Sequence, residues 1–256
     1  MANGNILFLL AHQDDEYFIA PFIVREKFNG NLINCVYLTD GSGYGIDPQK
    51  RDKESLNALS SLGVEEREVI FLGNESGVKD STAMIHCQII LDGLIQQIGD
   101  KRYCRIYCPA WEGGHTDHDA VHLVALAFAK TRNLVNETWQ FSMYNAYRVP
   151  KLFFRVMYLF DLSQEIQTEV IKFPNEFKFA FLFRFYRSQW KTWIGLSPQS
   201  IFKFLFVRRM KIQLASIKKT FHRPHDGSLL YEKRFGIMFD YFMEQTRNFR
   251  NYHFDK

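Results

Sequence analysis

Two short stretches of this sequence concentrate the residue types that bind metals and move protons. AHQDDE spans Ala11 to Glu16, and WEGGHTDHDAVH spans Trp111 to His122. If a helix starts within the first stretch, His12 and Asp15 lie three apart and can face one point, while Asp14 is rotated away by roughly a quarter turn or more. Joined by His118, they form a two-histidine, one-carboxylate set with open positions, which suits Zn²⁺ or, less often, Fe²⁺ or another divalent metal. A metal there would lower the pKa of a bound water towards about 7 and polarise an amide carbonyl. Asp14 is placed to take the water's proton, and His115 to donate a hydrogen bond to a developing oxyanion or a proton to the leaving nitrogen. Asp117 would orient a histidine from behind.

Bland readings exist for each residue alone. An acidic trio at a helix start complements the helix dipole, and a lone loop histidine is usually solvated. His118, Asp119 and His122 also spell HDAVH, a mimic of the zincin HExxH helix with Asp in place of Glu. That reading leaves AHQDDE without a purpose.

The elements that must position these clusters are strands followed by helices. Apolar β-rich runs at Ile6 to Ala11, Leu32 to Leu38, Glu68 to Leu72, Arg105 to Cys108 and Thr138 to Tyr144 alternate with helical candidates beginning near Glu16, Lys50, Thr82 and Asp117. Such alternation predicts an α/β, Rossmann-like three-layer fold with a mostly parallel central sheet. In the common strand order, the first and fourth strands flank the switch point, and ligands bind beyond the carboxyl ends of strands there. Both clusters then meet in one crevice. A single domain over 1–256 is expected, with a core of about 1–150 and a helical, basic and aromatic elaboration over 151–256.

AHQDDE and GGHTDHD resemble the two motifs, usually AHPDDE and HPDH, of the LmbE-like family that includes the PIG-L N-acetylglucosaminyl deacetylases. The resemblance implies a zinc-dependent N-deacetylase with His12, Asp15 and His118 on the metal, Asp14 as general base, and His115 in transition-state stabilisation or acid catalysis. Gln13 and Thr116 replace the usual prolines, which affects turn rigidity rather than chemistry. Weaker resemblances are LTDG (Leu38 to Gly41), Arg51 with Glu54, FLG (Phe71 to Gly73) and YRSQ (Tyr186 to Gln189). Arg51 matches a position that helps hold substrate in relatives, with a solvated helix arginine as the alternative. Asp40 is read either as orienting the site or as making the turn with Gly41. The implied substrate is a small-molecule or lipid-linked N-acetylated sugar. Rival readings are an amidase acting on a non-acetyl or non-sugar amide and a non-catalytic, metal-containing glycan-binding protein.

Charge is split along the chain. Residues 1–128 carry 10 Lys and Arg against 18 Asp and Glu, whereas residues 129–256 carry 22 against 10. The acidic half fits a site built from carboxylates, and the basic half could meet phosphates or an anionic membrane surface. No nucleic-acid motif accompanies the charge, so nucleic acid is not an expected partner. Cys35, Cys87, Cys104 and Cys108 form no CxxC pair and are expected to be reduced core thiols. Nothing reads as a signal peptide or membrane span, which predicts a cytoplasmic protein with peripheral membrane contact as an option; the oligomeric state is left open. Residues 201–211, IFKFLFVRRMK, read as an interfacial helix or as a core or oligomer-contact helix. Phe177 to Phe185 fit both strand and helix periods. The segment from His222 to Arg234 carries a Pro and Gly turn and polar residues that could reach the crevice.

Overall fold

The computed structural model describes residues 4–150 and 153–255. Residues 151–152, at the expected boundary between core and elaboration, and the extreme ends of the expected domain lie outside the described residues. The strands in chain order are β1 (Asn5–Leu10), β2 (Leu32–Tyr37), β3 (Val69–Phe71), β4 (Arg105–Pro109), β5 (Thr138–Phe141), β6 (Tyr144–Asn145), β7 (Arg155–Val156), β8 (Ile166–Val170) and β9 (Arg209–Leu214). The helices are α1 (Ala20–Phe28), α2 (Pro48–Ser61), α3 (Leu72–Ser76), α4 (Cys87–Ile98), α5 (Thr116–Thr131), α6 (Asn175–Ala180), α7 (Trp190–Phe202), α8 (Leu230–Phe235), α9 (Phe239–Gln245) and α10 (Arg247–Phe254).

The main sheet runs β3-β2-β1-β4-β5-β9-β8. Its first five strands are parallel, while β9 pairs antiparallel with both β5 and β8. β1 lies beside β4, as the switch-point argument requires, with Ile6 opposite Arg105 and Phe8 opposite Tyr107. Strand alternation explains the three layers. Leu7 and Leu9 of β1 enter a core shared with α4, α5, α9 and α10. Ile6, Phe8 and Leu10 enter another, on the opposite sheet face, with α1, α2, α6 and α7. The C-terminal third therefore closes both faces. α5 is buried from Thr116 to Ala129, which a helix that is apolar on nearly every side requires.

Several elements differ from the sequence reading. The helix expected near Glu16 is a 3₁₀ turn over Asp15–Ile19, and α1 starts at Ala20 with a proline in its first turn. The helix expected near Thr82 starts at Cys87, after another 3₁₀ turn. The fifth strand ends at Phe141, and Tyr144–Asn145 pairs separately with β7. Phe177 to Phe185 is helical. Residues 201–211 are not one helix: α7 ends at Phe202, a π-turn covers Lys203–Val207, Arg208 turns the chain at φ +52°, and β9 follows. Met210 and Ile212 of β9 are buried on alternate positions, so a period of two took over where the basic run obscured it. Cys35, Cys87 and Cys108 are buried free thiols, but Cys104 sits before β4 and is exposed, which corrects its reading as a core residue.

Gly73 marks where the FLG and LTDG segments cross. A Cβ there would stand 2.0 Å from the Thr39 carbonyl carbon. Gly195, within α7, has room, its nearest neighbour being a Phe154 ring atom at 3.6 Å. Gly73→Ala should therefore lower stability by about 1–3 kcal/mol, and Gly195→Ala should raise it by roughly 0.5–1 kcal/mol. Urea unfolding of both variants checks this; equal effects of the same sign would refute the crossing argument.

Candidate active site

The loop after β1 is folded by its own carboxylates. Asp15 Oδ2 accepts hydrogen bonds from the amides of Ala11 at 2.9 Å and His12 at 2.8 Å. That leaves Oδ1 facing His118 Nε2 at 3.2 Å and His12 Nδ1 at 3.9 Å. Asp14 takes φ +135°, a conformation that side-chain-bearing residues rarely adopt. Such strain costs about 1–3 kcal/mol and persists only where surroundings fix it. Glu16 does part of that, its Oε2 accepting from the Asp14 amide at 3.0 Å. Arg51 does the rest: one Nη donates to Asp14 Oδ1 at 3.2 Å and to the Gln13 carbonyl at 2.6 Å, the other to the Gly41 carbonyl at 2.8 Å. Arg51 is buried, so it is not the solvated helix arginine of the alternative reading.

The second cluster lies on the turn from β4 into α5. Gly114 has no space for a side chain, since a Cβ would meet the Tyr144 carbonyl oxygen at 2.2 Å. His115 caps α5, its Nδ1 accepting from the Asp117 amide. In a neutral ring the proton is then on Nε2, and burial, the leading influence, lowers the His115 pKa to about 4. His118 reaches across to the β1 loop, 3.2 Å from His12 Nδ1. Asp119 Oδ1 binds the amides of Glu112 and Gly113 and so fixes the turn. His122, one turn on, is tied through Nδ1 to the Pro109 carbonyl at 2.8 Å. It belongs to no cluster of converging ligand atoms among the described residues, and the zincin-like pairing of His118 with His122 does not form.

Asp117 binds His12 Nε2 at 3.0 Å and the backbone amides of Ser81 and Ala83. A carboxylate so engaged can only accept, so His12 carries its proton on Nε2 and presents a lone pair at Nδ1. His12, Asp15 and His118 thus turn three electron-pair donors on one point. Burial disfavours a charged His12, yet Asp80, Asp117 and Asp15 outweigh it and hold its pKa well above the ordinary histidine value. The pocket calls for positive charge, and its donor set fits a divalent cation. A second grouping, His12 with His115 and Asp117, also converges, but the Asp117 oxygens are already engaged by two amides and His12. His118 Nδ1 has no protein partner among the described residues.

One strand of the site was missed in the sequence. Asp80 stands 3.6 Å from His12 Nε2 and 3.4 Å from Arg51; burial raises its pKa, but His12, His115 and Arg51 bring it down to about 2. Its loop is pinned by Asp40, whose Oδ1 accepts from the amides of Ser42 and Asp80. Asp40 thus makes its turn and also sets Asp80. No local signal marks Asp80, because only tertiary folding brings it in. The rim is completed by Phe18, Tyr144, Gln189, Thr192, Leu196, Arg234 and Phe235. Gln189 closes the YRSQ segment, and Arg234 ends the segment from His222. That segment is docked on the turn from β4 into α5, with the Leu230 amide donating to the Gly113 carbonyl at 2.8 Å.

Residues 7–129 match the model of the PIG-L family, described as GlcNAc-PI de-N-acetylase. No curated protein matches the chain. Among solved structures, the antimicrobial reagent A40926 pseudoaglycone deacetylase is 13% identical and superposes with a TM-score of 0.62, covering 84% of this chain and 99% of that one. The zinc-inhibited form of teicoplanin deacetylase is 15% identical, with a TM-score of 0.62, covering 82% and 97%. The N,N'-diacetylchitobiose deacetylase from Pyrococcus horikoshii, complexed with its inhibitor, is 16% identical, with a TM-score of 0.51, covering 76% and 74%. At these identities the likeness establishes the fold.

The donor geometry sets an expected outcome. Elemental analysis should find a divalent metal on the purified protein, lost in His118→Ala and kept in His122→Ala. Asp117→Asn should weaken its affinity by roughly 10- to 100-fold. Retention by His118→Ala with loss in His122→Ala would refute the ligand set. Residues 7–129, which gather both motifs in one cleft, match the PIG-L family of de-N-acetylases.

Proposed function

We propose that the protein is a hydrolase that removes an N-acyl group, acetyl in the simplest case, from an amino-sugar-containing substrate. One observation carries the reading: Asp14 lies beside three converging donors without being one of them. A structural metal site closes its coordination and has no use for a free base. The family description, GlcNAc-PI de-N-acetylase, and neighbours named as deacetylases of A40926 pseudoaglycone, of teicoplanin and of N,N'-diacetylchitobiose support the substrate class.

His12, Asp15 and His118 would hold the cation. When bound, a zinc-type ion supplies Lewis acidity, lowering the pKa of water and polarising an amide carbonyl. Asp14 accepts the proton of the attacking water. Burial pushes its carboxyl up to about 7 against the pull of Arg51, which matches a general base working near neutrality. His115, neutral and protonated on Nε2, donates a hydrogen bond to the oxyanion that forms, and the proton held by Asp14 passes to the departing nitrogen. Arg51 and Glu16 keep Asp14 in its strained conformation and so act by positioning. The rim joins aromatic and aliphatic walls, Tyr144, Phe235 and Leu196, to polar Gln189, Thr192 and Arg234. Such a mixture suits a sugar ring, which has apolar faces and a hydroxyl edge.

Incubation with a panel of N-acetylated sugars should release acetate and a free amine from at least one member. Asp14→Asn should keep the metal and reduce the rate by roughly 10²- to 10⁴-fold. Asp15→Asn should lose metal instead, since a neutral amide oxygen is the poorer ligand. Metal-loaded Asp14→Asn turning over at the normal rate would remove Asp14 from its role. Tight glycan binding without acetate release would favour a binding protein.

A further inference from the structure

We propose that α6, α7 and the π-turn at Lys203–Val207 form a docking face for an anionic lipid bilayer. Their inner sides are accounted for. Trp193 and Phe204 pack on Tyr17, the residue two places beyond Asp15, and Phe179 packs on Phe204. Their outer sides are not. Phe173 is 76% exposed, Trp190 57%, Ile194 64% and Phe206 72%, and Phe177, Phe181 and Phe202 are exposed beside them. Phe173 meets Phe177, and Phe202 meets Phe206, so the exposed rings group rather than scatter. Isolated exposed apolar residues need no explanation, but a grouped set on one cap does.

Charge chooses the occupant. Residues 172–211 contain nine Lys and Arg and one acidic residue, Glu176. Glu176 is buried and paired with Arg208 at 2.9 Å. Lys172, Lys178, Arg184, Arg187, Lys191, Arg209 and Lys211 of the same stretch are exposed. A second copy of this chain meeting the face two-fold would oppose cation to cation. A bilayer of anionic lipid instead offers headgroups to the cations and an apolar boundary to the rings, while long basic side chains reach outward past them. No helix of the described residues is long and apolar enough to cross a membrane, so the contact is peripheral. Thr192 and Leu196 of α7 line the pocket and lie about half a turn around the helix from Trp190 and Ile194, so the cleft and the proposed lipid face share α7 but occupy different sides of it. The binding claim stands apart from the deacetylase reading and is tested without any activity.

Vesicles of phosphatidylcholine alone, and of equal parts phosphatidylcholine and phosphatidylglycerol, are mixed with the full chain at low and physiological salt and sedimented. Co-sedimentation is expected with the anionic vesicles only, weakening as salt rises. Lys178→Glu with Lys191→Glu should lower binding by roughly tenfold or more, and Phe173→Ser with Phe206→Ser should do likewise. Both pairs are surface changes, verified by unaltered thermal unfolding, and Arg102→Glu, exposed in the loop before β4, serves as a control that keeps binding. Trp111, Trp139 and Trp193 are buried and Trp190 is not, so tryptophan emission should shift to the blue on binding, and the shift should vanish in Trp190→Phe while sedimentation persists. Absence of binding at low salt, binding indifferent to both pairs of substitutions, or a lipid-free dimer dissociated by Phe173→Ser with Phe206→Ser would each overturn the proposal.

Discussion

Three separate stretches of chain are tied to one point by the carboxylate of Asp117. It takes the Nε2 proton of His12 from the β1 loop and the amides of Ser81 and Ala83 from the loop before α4, while sitting on the first turn of α5. A fully buried carboxylate is costly unless its oxygens are satisfied. Here they are, and each partner is thereby fixed in place. His12 receives its tautomer from this bond, the Asp80 loop its approach, and α5 its angle of entry beside β1. The pairing of β1 with β4 brings the motifs within reach; Asp117 converts reach into register.

Charge inside the cleft is arranged as one connected set. Asp15 faces the two histidines, Asp80 faces His12 and Arg51, and Arg51 faces Asp14. Removing Asp15 leaves His118, and removing Arg51 leaves Asp14, buried without its charge partner, which is the expensive outcome for a charge in a low-dielectric site. The carboxylates outnumber the guanidinium, and His12 accordingly leans to its protonated form when nothing else supplies positive charge. Affinity for a cation is thus a property of the surrounding acids as much as of the ligand atoms. Glu16, the last of the acidic trio, acts through the backbone: it holds the Asp14 amide and has no part in the converging set.

What the sequence revealed follows from where the information lies. The clustered residues His12, Asp14, Asp15, His115, Asp117 and His118 sit within a few positions of two strand ends, so local spacing and the parallel order were enough to bring them together. Asp80 lies on a loop whose approach depends on Asp40 and Asp117, and no periodicity encodes that. Arg51 stayed open between a substrate-holding residue and a solvated helix arginine, because its burial comes from loops distant in sequence. Helix starts were misjudged at Glu16 and Thr82, where the positive φ of Asp14 and of Ser81 delays the first turn. In the C-terminal third the phenylalanines alternate at a spacing that serves strand and helix alike, and the basic residues mask the buried Met210 and Ile212 of β9.

That third divides its labour between the two sheet faces. Phe239, Phe242, Phe249 and Phe254 cover α5, whose apolar surface would otherwise face water, and the same stretch of chain sends Arg234 and Phe235 to the rim. On the other face α6 and α7 cover Tyr17 and Phe18, and α7 sends Leu196 and Thr192 to the same rim. Glu54 of α2 holds this second cap through the Ser188 amide and hydroxyl. The groups proposed for chemistry come from the parallel core, and much of the rim comes from segments whose first duty is to close a hydrophobic layer. A change in those segments can therefore alter which substrate enters without moving His12, Asp15 or His118, because these are held by one another, by the end of β1 and by Asp117 rather than by the cap.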